Sequence, residues 1–294
     1  MEHQTPTPIT GHTALICLLG SPCAHSISPM MHNASFEALG LDYRYLAFDV
    51  NEATLPTAVA GLKALGARGF NLTMPDKNLM VSLCDDLSTA ARIIGAVNTV
   101  VNENGRLIGH NTDGIGYMQS VKDAGYDIID KKMTLLGAGG AATAILVQAA
   151  LDGLKEISVF VRPTSRFYDR LVHTVDELTK ITDCKIKICD FSDAELLKQE
   201  LADSAILTNG TSVGMAPHED TCPVPEDLVF PDGLIVSDII YNPRETRLLS
   251  MAKHQGNPFF NGSYMLLYQG AEAFRLWTGK EMPVEQIKRD FFSK

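Results

Sequence analysis

The sequence predicts an α/β protein of two domains, and three of its features lead to that prediction. Short apolar runs alternate with helical-period segments along most of the chain, a pattern typical of a largely parallel sheet covered by helices. A polar stretch over 122–132 carries no apolar period and separates two such series. The length of 294 residues allows two domains of ordinary size, each with its own buried core.

The first series begins with a strand and then a helix that has Pro29 in its first turn, where proline is favoured. Asn104-Gly105, lying between two apolar runs, predicts a β-hairpin. The predicted elements are, in chain order, strand Leu15–Leu19, strand Tyr43–Asp49, helix Ala53–Leu65, strand Gly69–Leu72, and the hairpin strands Val97–Val101 and Arg106–His110.

The second series repeats this alternation and ends in helices. Its predicted elements are strand Met133–Leu136, helix Ala141–Leu154, strands Ile157–Val161, Ile186–Cys189, Ala205–Leu207 and Leu234–Ile239, and helices Arg247–Gln255, Tyr264–Leu276 and Val284–Phe292. We assign 1–115, completed by C-terminal helices over 263–294, to one domain and 116–262 to the other. The cleft between two such domains is the default place to expect a binding site.

Composition and charge restrict the function. The net charge of −10 argues against nucleic acid and anionic membrane surfaces as partners, because both select basic faces. The six cysteines lack C-x-x-C spacing, and no apolar run is long enough to span a bilayer, so we expect free thiols and a cytoplasmic location. No His, Cys and carboxylate cluster has ligand spacing, so no metal is expected. Of the kinds of binding partner considered, a small-molecule ligand is the one that the composition favours.

The glycine-rich segment Gly137-Ala138-Gly139-Gly140-Ala141-Ala142 follows an apolar strand and opens an alanine-rich helix. It matches G-x-G-x-x-A, in which Gly137 permits a tight turn and Gly139 lets backbone N–H groups approach a pyrophosphate. The helix N-terminus adds the positive end of its dipole. A turn without function is the alternative. Since a second strand follows at the right distance, we predict a Rossmann-like, doubly wound dinucleotide-binding domain.

The residues after that second strand bear on the choice of cofactor. NAD sites usually carry an acid about 20 residues after the loop, which holds the ribose 2′-hydroxyl. The segment Ile157–Arg166 contains no acid and offers Arg162 and Arg166, either of which could pair with a 2′-phosphate. The alternative is that both arginines face solvent. The sequence favours NADP, with NAD also acceptable.

Four patches of short hydrogen-bonding side chains precede residue 115, each just after a predicted strand. They are Ser26-Ile27-Ser28-Pro29, Asn71-Leu72-Thr73-Met74-Pro75-Asp76-Lys77, Gly95-Ala96-Val97-Asn98-Thr99 and Asn111-Thr112-Asp113-Gly114. Proteins of the α/β class bind ligands at this end of their strands. Each patch has a simpler explanation as a helix cap, a turn or a solvated lysine. Four such patches upstream of a nucleotide loop favour a substrate site.

These motifs resemble the shikimate dehydrogenase family. S-x-S-P, N-x-T-x-P-x-K, G-A-x-N-T, N-T-D-G, G-A-G-G-A and Tyr268-Gln269-Gly270-Ala271-Glu272 occur in order from about Leu18 to Phe274. The segments 162–168 and 208–211 are more similar to the quinate/shikimate dehydrogenase branch. The resemblance implies an NAD(P)-dependent enzyme that interconverts 3-dehydroshikimate and shikimate. It also implies that the first domain binds the substrate, and leaves quinate and 3-dehydroquinate as further substrates.

The resemblance implies roles for individual residues. Lys77 and Asp113 fall where the family has its catalytic pair, with Lys77 as acid/base and Asp113 orienting it. The positions that hydrogen-bond the substrate's carboxylate and ring hydroxyls are Ser26, Ser28, Asn71, Thr73, Asn98 and Gln269. Those on the cofactor side are Ala138, Gly139, Gly140, Ala141, Asn209, Tyr241, Asn242 and Gly262.

One segment departs from the family pattern. NADP-specific members usually read Asn-Arg-Thr after the second strand, whereas this chain reads Val161-Arg162-Pro163. The arginine is kept and its neighbours are lost, so we expect both cofactors to be accepted, with NADP modestly favoured.

Three other questions stay open in the sequence. A non-catalytic sensor that binds a dinucleotide and a hydroxy acid is one alternative, and the intact Lys77 and Asp113 argue against it. A folate-linked dehydrogenase of similar plan is another, without support from the substrate-side motifs. The sequence leaves the oligomeric state open, with a homodimer as one candidate.

Overall fold

A computed structural model of the chain describes residues 8–292 and has the expected two-unit α/β architecture. The first unit runs to Thr112 and resumes at Gln269, and the second comprises Asp113–Tyr268. The breaks therefore lie at 112 and 268 rather than at 115 and 262, and upstream of the polar stretch over 122–132. The reason is a helix that begins at Asp113: an added Cβ at Gly114 would overlap the carbonyl oxygen of Ala144, so this helix packs within the second unit.

The first unit is built on a mixed sheet of six strands in the order β2-β1-β3-β5-β6-β4. Strand β1 pairs parallel with β2 and β3, while the β3–β5 and β5–β6 pairs are antiparallel. Its elements are β1 (Ala14–Gly20), α1 (Ser28–Ala38), β2 (Tyr43–Asp49), α2 (Leu55–Ala64), β3 (Gly69–Leu72), β4 (Asp86–Leu87), α3 (Thr89–Ile94), β5 (Thr99–Glu103) and β6 (Arg106–His110).

Local sequence explains the turns and the core of this unit. The β5–β6 hairpin turns at Asn104 and Gly105, which adopt φ of 53° and 91°, the left-handed region that these residue types tolerate best. Aromatic rings fill the space behind β1 and β3, where Trp277 is fully buried and its indole N–H donates to the carbonyl of Val100 at 2.9 Å. The residues from Gln269 onward therefore belong to the first unit.

The second unit is a parallel sheet in the order β12-β11-β10-β7-β8-β9. If β7 to β12 are numbered 1 to 6 and the sheet is read from its β9 edge, the order is 3-2-1-4-5-6, which is the doubly wound Rossmann order. Its switch point lies between β7 and β10. Its elements are α4 (Asp113–Asp123), β7 (Lys132–Leu136), α5 (Gly140–Leu151), β8 (Glu156–Val161), α6 (Tyr168–Leu178), β9 (Lys185–Asp190), α7 (Ala194–Leu201), β10 (Ile206–Asn209), β11 (Ile235–Asp238), α8 (Arg247–Gln255) and β12 (Phe259–Phe260).

Helices are where the structure differs most from the sequence prediction. α3, α4, α6 and α7 were not predicted; α6, for example, buries Leu171, Thr174 and Leu178, which recur at helical spacing. Helix α9 (Ser263–Thr278) spans the second break between the units. The single helix expected over Val284–Phe292 is instead α10 (Val284–Ile287) followed by a π-helical segment, Lys288–Phe292.

Candidate active site

The substrate-side residues of the first unit form a hydrogen-bonded network around Asn71, near the carboxyl end of β3. The Asn71 Oδ1 accepts from the Tyr45 hydroxyl at 2.7 Å, and its Nδ2 donates to the Asn98 carbonyl at 3.0 Å and the Thr99 Oγ1 at 2.9 Å. Asn71 is only 6% exposed. Three bonds to three partners fix the orientation of this amide.

Asn98 extends the network to the end of β6. Its Oδ1 accepts from the Thr112 backbone N–H at 2.8 Å and from the Thr99 hydroxyl at 3.0 Å. Its Nδ2 donates to the Thr112 Oγ1 at 3.0 Å. The structure thus joins three of the four predicted polar patches into one cluster, which we call the Asn71 network (Tyr45, Asn71, Asn98, Thr99 and Thr112).

The fourth patch reaches the network through Tyr45. The Ser28 side chain hydrogen-bonds Tyr45, and the Ser28 backbone N–H donates to the Ser26 Oγ at 3.2 Å. Burial raises the pKa of the Tyr45 phenol well above its usual range, so the hydroxyl stays neutral. The ring of His32 stacks on that of Tyr45 with centroids 4.5 Å apart, and burial lowers the pKa of His32 to about 3. Tyr45 and the His32 ring stacked on it are therefore both uncharged at neutral pH.

Lys77 lies on the segment that leaves β3. The Thr73 N–H donates to the Leu19 carbonyl at 2.9 Å, and the Lys77 carbonyl accepts from Val97 N–H at 2.8 Å. These bonds hold the Lys77 backbone beside the residue that precedes Asn98. The side chains of Thr73, Lys77 and Gln269 are half-buried within the first unit, whereas Asp113 opens α4 of the second.

Asp76, next to Lys77, is a feature that sequence reasoning missed. Its side chain is fully buried, and neither carboxyl oxygen has a hydrogen-bond partner among residues 8–292. Burial raises the pKa of Asp76, and the negative charge of Glu52 raises it further. Nothing in the pattern N-x-T-x-P-x-K marks this position, because the signal is the enclosure and not the residue type.

The glycine-rich loop of the second unit has the geometry that a pyrophosphate needs. Gly137 has φ of 99°, and an added Cβ would lie 2.8 Å from the Thr211 Cγ2, so glycine is required there. Gly139 is the N-cap of α5 and provides no side-chain cap, and an added Cβ would meet no atom within 4 Å. The first-turn N–H groups of α5 and this open approach fit an anionic dinucleotide.

The other cofactor-side positions differ in exposure. Tyr241 is 50% exposed and Asn242 is exposed, both in the loop after β11. Asn209 is fully buried at the end of β10. Gly262 is required for packing, because an added Cβ would lie within van der Waals overlap of the Ile239 carbonyl oxygen. Arg162 is exposed directly after β8, while the guanidinium of Arg166 lies over the Phe167 ring at 4.7 Å.

The described residues contain neither a metal-binding cluster nor a membrane-spanning helix. Within residues 8–292, no group of three or more His, Cys, Asp and Glu side chains could hold a metal ion. Over the same residues, no helix has the length and apolar character needed to cross a membrane. The polar cluster and the glycine-rich loop are therefore the two features on which a function can be built.

Comparison with protein families matches both ends of the chain. The family described as Shikimate dehydrogenase substrate binding domain matches residues 18–100. The family described as Shikimate 5'-dehydrogenase C-terminal domain matches residues 262–289. The first match contains the first three polar patches, and the second contains Gln269.

Comparison with curated relatives covers nearly the whole chain. It is 52% identical over 293 residues to Shikimate dehydrogenase (NADP(+)) of Listeria monocytogenes serotype 4b (strain F2365), covering 99% of this chain and 100% of the relative. It is 44% identical over 281 residues to Quinate/shikimate dehydrogenase of Escherichia coli O139:H28, covering 96% and 97%.

Solved structures are similar over the same extent. Shikimate 5-dehydrogenase from Listeria monocytogenes in complex with shikimate and NAD has a TM-score of 0.92 at 52% identity, covering 96% of this chain and 98% of that one. Quinate dehydrogenase from Corynebacterium glutamicum in complex with NAD has a TM-score of 0.84 at 28% identity, covering 96% and 99%.

Proposed function

This chain belongs to the shikimate dehydrogenase family, and on that premise we propose that it interconverts 3-dehydroshikimate and shikimate with NADP or NAD. The family resemblance of the six ordered motifs is confirmed by the relatives and family matches. The observation that carries the proposal is the Asn71 network, because it holds polar side chains from three of the four substrate-side patches in one uncharged cluster.

Oxidation of a ring hydroxyl requires a base that removes the hydroxyl proton while hydride leaves the same carbon. We assign that base to Lys77, which returns the proton as an acid in the reduction of the ketone. Asp113 is assigned the orientation of the Lys77 ammonium and a substrate hydroxyl. The nicotinamide, when bound, supplies the hydride acceptor or donor. Support for Lys77 comes from its backbone bond to Val97, which ties it to the Asn98 end of the network.

Substrate recognition is assigned to short polar side chains. Ser26 and Ser28 are suited to the carboxylate, because small hydroxyls can donate to it. Asn71, Thr73, Asn98 and Gln269 are assigned to the ring hydroxyls. A buried site built from such bonds penalises analogues that lack a partner group, since the unpaired polar atoms lose solvation without compensation. Removing the carboxylate from the substrate should therefore raise the activation free energy that corresponds to kcat/KM by about several kcal/mol.

Cofactor binding is assigned to Gly137, Ala138, Gly139, Gly140, Ala141, Arg162, Asn209, Tyr241, Asn242 and Gly262. The loop and the helix α5 N-terminus would hold the pyrophosphate through backbone N–H groups. The exposed Arg162 would meet a 2′-phosphate. NADP is the cofactor in the names of the curated Listeria relatives, and a solved Listeria relative holds NAD, so use of both is proposed.

Quinate is the second candidate substrate, and the 44% identity to Quinate/shikimate dehydrogenase favours it. Steady-state kinetics with shikimate and quinate, each against NADP and NAD, test the assignment. We expect turnover of shikimate with both cofactors, NADP being favoured by a modest factor. Absence of turnover with shikimate under all conditions would leave the non-catalytic sensor as the better description. A higher kcat/KM for quinate would reverse the order of the two substrates.

A homodimer and a cytoplasmic location complete the proposal. Strand β2 lies at an edge of its sheet and exposes Leu46 and Phe48 to 49% and 41%, which supports self-association through that edge. The cysteines are all free thiols, which supports a reducing compartment. Sedimentation velocity of the wild type and of Phe48→Ser tests the dimer: a monomeric wild type would contradict it.

A further inference from the structure

All the hydrogen-bonding groups of the Asn209 side chain bind to partners within the second unit. Its Oδ1 accepts from the backbone N–H of Thr211 at 3.0 Å and from the Thr211 hydroxyl at 2.7 Å. Its Nδ2 donates to the Val213 carbonyl at 3.2 Å and to the Asp238 Oδ1 at 3.1 Å. An asparagine amide offers two donors and two acceptor lone pairs, so all four are used. Since this buried side chain has no hydrogen-bonding group left for a ligand, any effect of Asn209 on a cofactor would pass through the 209–214 loop.

That loop lies directly against the glycine-rich loop. The Gly210 N–H donates to the Leu136 carbonyl at 2.8 Å, at the end of β7. An added Cβ at Gly210 would lie 2.7 Å from the Ala142 Cβ, and one at Gly137 would lie 2.8 Å from the Thr211 Cγ2. With contacts this close, the position of residues 210–211 limits where the glycine-rich loop can lie. Asn209 thereby influences the turn that would receive the pyrophosphate.

Asp238 connects Asn209 to the loop that follows β11. It is the last residue of β11, lies beside Asn209 in the strand register, and is 1% exposed. Besides the Asn209 Nδ2, its Oδ1 accepts from the Ile240 N–H at 3.0 Å, and its Oδ2 accepts from the Thr246 hydroxyl at 2.8 Å. Thr246 is in turn the N-cap of α8. One carboxylate therefore holds both ends of the 239–246 loop and the 209–214 loop.

We propose that Asp238 is a positioning residue for the nicotinamide dinucleotide, which it acts on through Asn209 and Thr246. The inference rests on the proposed cofactor role of the glycine-rich loop and of Tyr241 and Asn242. Enclosing a carboxylate costs solvation energy, which its hydrogen bonds offset only in part, and burial raises the pKa of Asp238 to about 6. Of the two loops that this group joins, the 209–214 loop follows β10, which borders the switch point of the sheet together with β7, and the 239–246 loop follows the neighbouring strand β11.

The test is cofactor binding by Asp238→Ala in the full-length protein, measured by titration with NADPH and by the KM values of both substrates. We expect the Kd for NADPH to rise about tenfold or more, as for the loss of one or two hydrogen bonds, with the KM for shikimate changed by less than about twofold. Asp238→Asn keeps an acceptor for Asn209 and Ile240, so it should restore most of the affinity. Asp190→Ala is the matched control, because it removes an exposed carboxylate from the end of β9 and should leave Kd unchanged.

A second pair of variants covers the case in which Asp238→Ala does not fold. Thr246→Val removes the hydroxyl that holds Asp238, and Thr246→Ser retains it, so the first should weaken NADPH binding and the second should not. Equal affinities across both pairs, with normal binding by the wild type, would overturn this inference alone. A wild type that binds neither NADPH nor NADH would overturn the proposed function together with it.

Discussion

The two units place an asparagine at the carboxyl edge of a strand and surround it differently. In the first unit, Asn71 is held by the Tyr45 phenol, the Thr99 hydroxyl and a backbone carbonyl, all of them uncharged. In the second unit, Asn209 is held by its own loop and by the Asp238 carboxylate. Asn71 orders a cluster of side chains, whereas Asn209 orders the backbone of the 209–214 loop, which lies against the glycine-rich loop.

The difference fits the ligand that we propose for each unit. A hydroxy acid presents several hydroxyls in fixed directions, which side chains of an immobile network can match one by one. A pyrophosphate presents diffuse negative charge, which backbone N–H groups at a helix N-terminus suit better. We therefore expect side-chain changes in the first unit to alter turnover, and changes in backbone shape in the second unit to alter cofactor affinity.

The largest expected effect is that of Lys77→Ala. Loss of a positioned acid/base should lower kcat by about 10²-fold to 10⁴-fold, with the Kd for NADPH unchanged because Lys77 lies in the other unit. Steady-state and binding measurements on the same preparation check this. Lys63→Ala, which removes an exposed lysine paired with Asp85, is the matched control and should keep wild-type turnover. Near-wild-type kcat in folded Lys77→Ala would remove Lys77 from the mechanism.

Gly139→Val should have the second-largest effect, and it should lower the affinity for NADPH instead of kcat. The backbone there, with φ of −71° and ψ of −179°, is allowed for any residue, and the new side chain meets no atom of the protein at its Cβ. The protein should fold, while the valine occupies the approach to the loop and weakens NADPH binding by about 10²-fold or more. Gly61→Val in α2 is the control, since its Cβ is equally uncrowded. Unchanged cofactor titration would make this loop only a turn.

These two sites differ in how far the sequence could predict them. The glycine-rich loop was predictable as a segment, because G-x-G-x-x-A between a strand and a helix is a pattern of the local sequence. The polar patches were predictable as segments, but their joining by Tyr45 was not, since its place beside Asn71 depends on the order of strands in the sheet. Asp238 was missed for the same reason: its role depends on its register with Asn209. The helices α6 and α7 were missed although their sequences are amphipathic: the buried residues of α6, Leu171, Thr174 and Leu178, recur at helical spacing.

Arg162→Ala should have an intermediate effect and sharpen the cofactor assignment. Loss of a charge-assisted hydrogen bond to a 2′-phosphate should weaken NADP binding by about 1.5–3 kcal/mol and leave NAD binding nearly unchanged. The control is Arg166→Ala, whose guanidinium lies over the neighbouring Phe167 ring. Equal weakening of both cofactors by Arg162→Ala would assign this arginine to the adenine and not to the phosphate.

The smallest expected effect is on stability, through Asp76. Because burial raises the pKa of Asp76, the folded chain holds this proton more tightly than the unfolded chain, and the free energy of unfolding falls as pH rises from about 4. Asp76→Asn should raise the free energy of unfolding by about 1 kcal/mol near neutral pH and by little at pH 4. Chemical denaturation at both pH values measures this difference.

Asp85→Asn is the control of opposite sign. A hydrogen bond from the Leu107 N–H and the Lys63 ammonium lower the pKa of Asp85, so its ionised form is favoured in the folded chain. That stabilisation is present near neutral pH and is lost as pH falls through the lowered pKa. Asp85→Asn should therefore destabilise the protein at neutral pH and have less effect in acid. A shift of the same sign in both variants would contradict the account of Asp76.

The division of recognition between the units is tested most directly by the affinity of Gly139→Val for shikimate, measured by calorimetric titration without cofactor. The Asn71 network lies wholly in the first unit, so we predict a Kd for shikimate equal to that of the wild type, in a protein whose binding of NADPH is strongly weakened. Loss of shikimate binding from folded Gly139→Val would contradict the account, because recognition of the substrate would then depend on the glycine-rich loop.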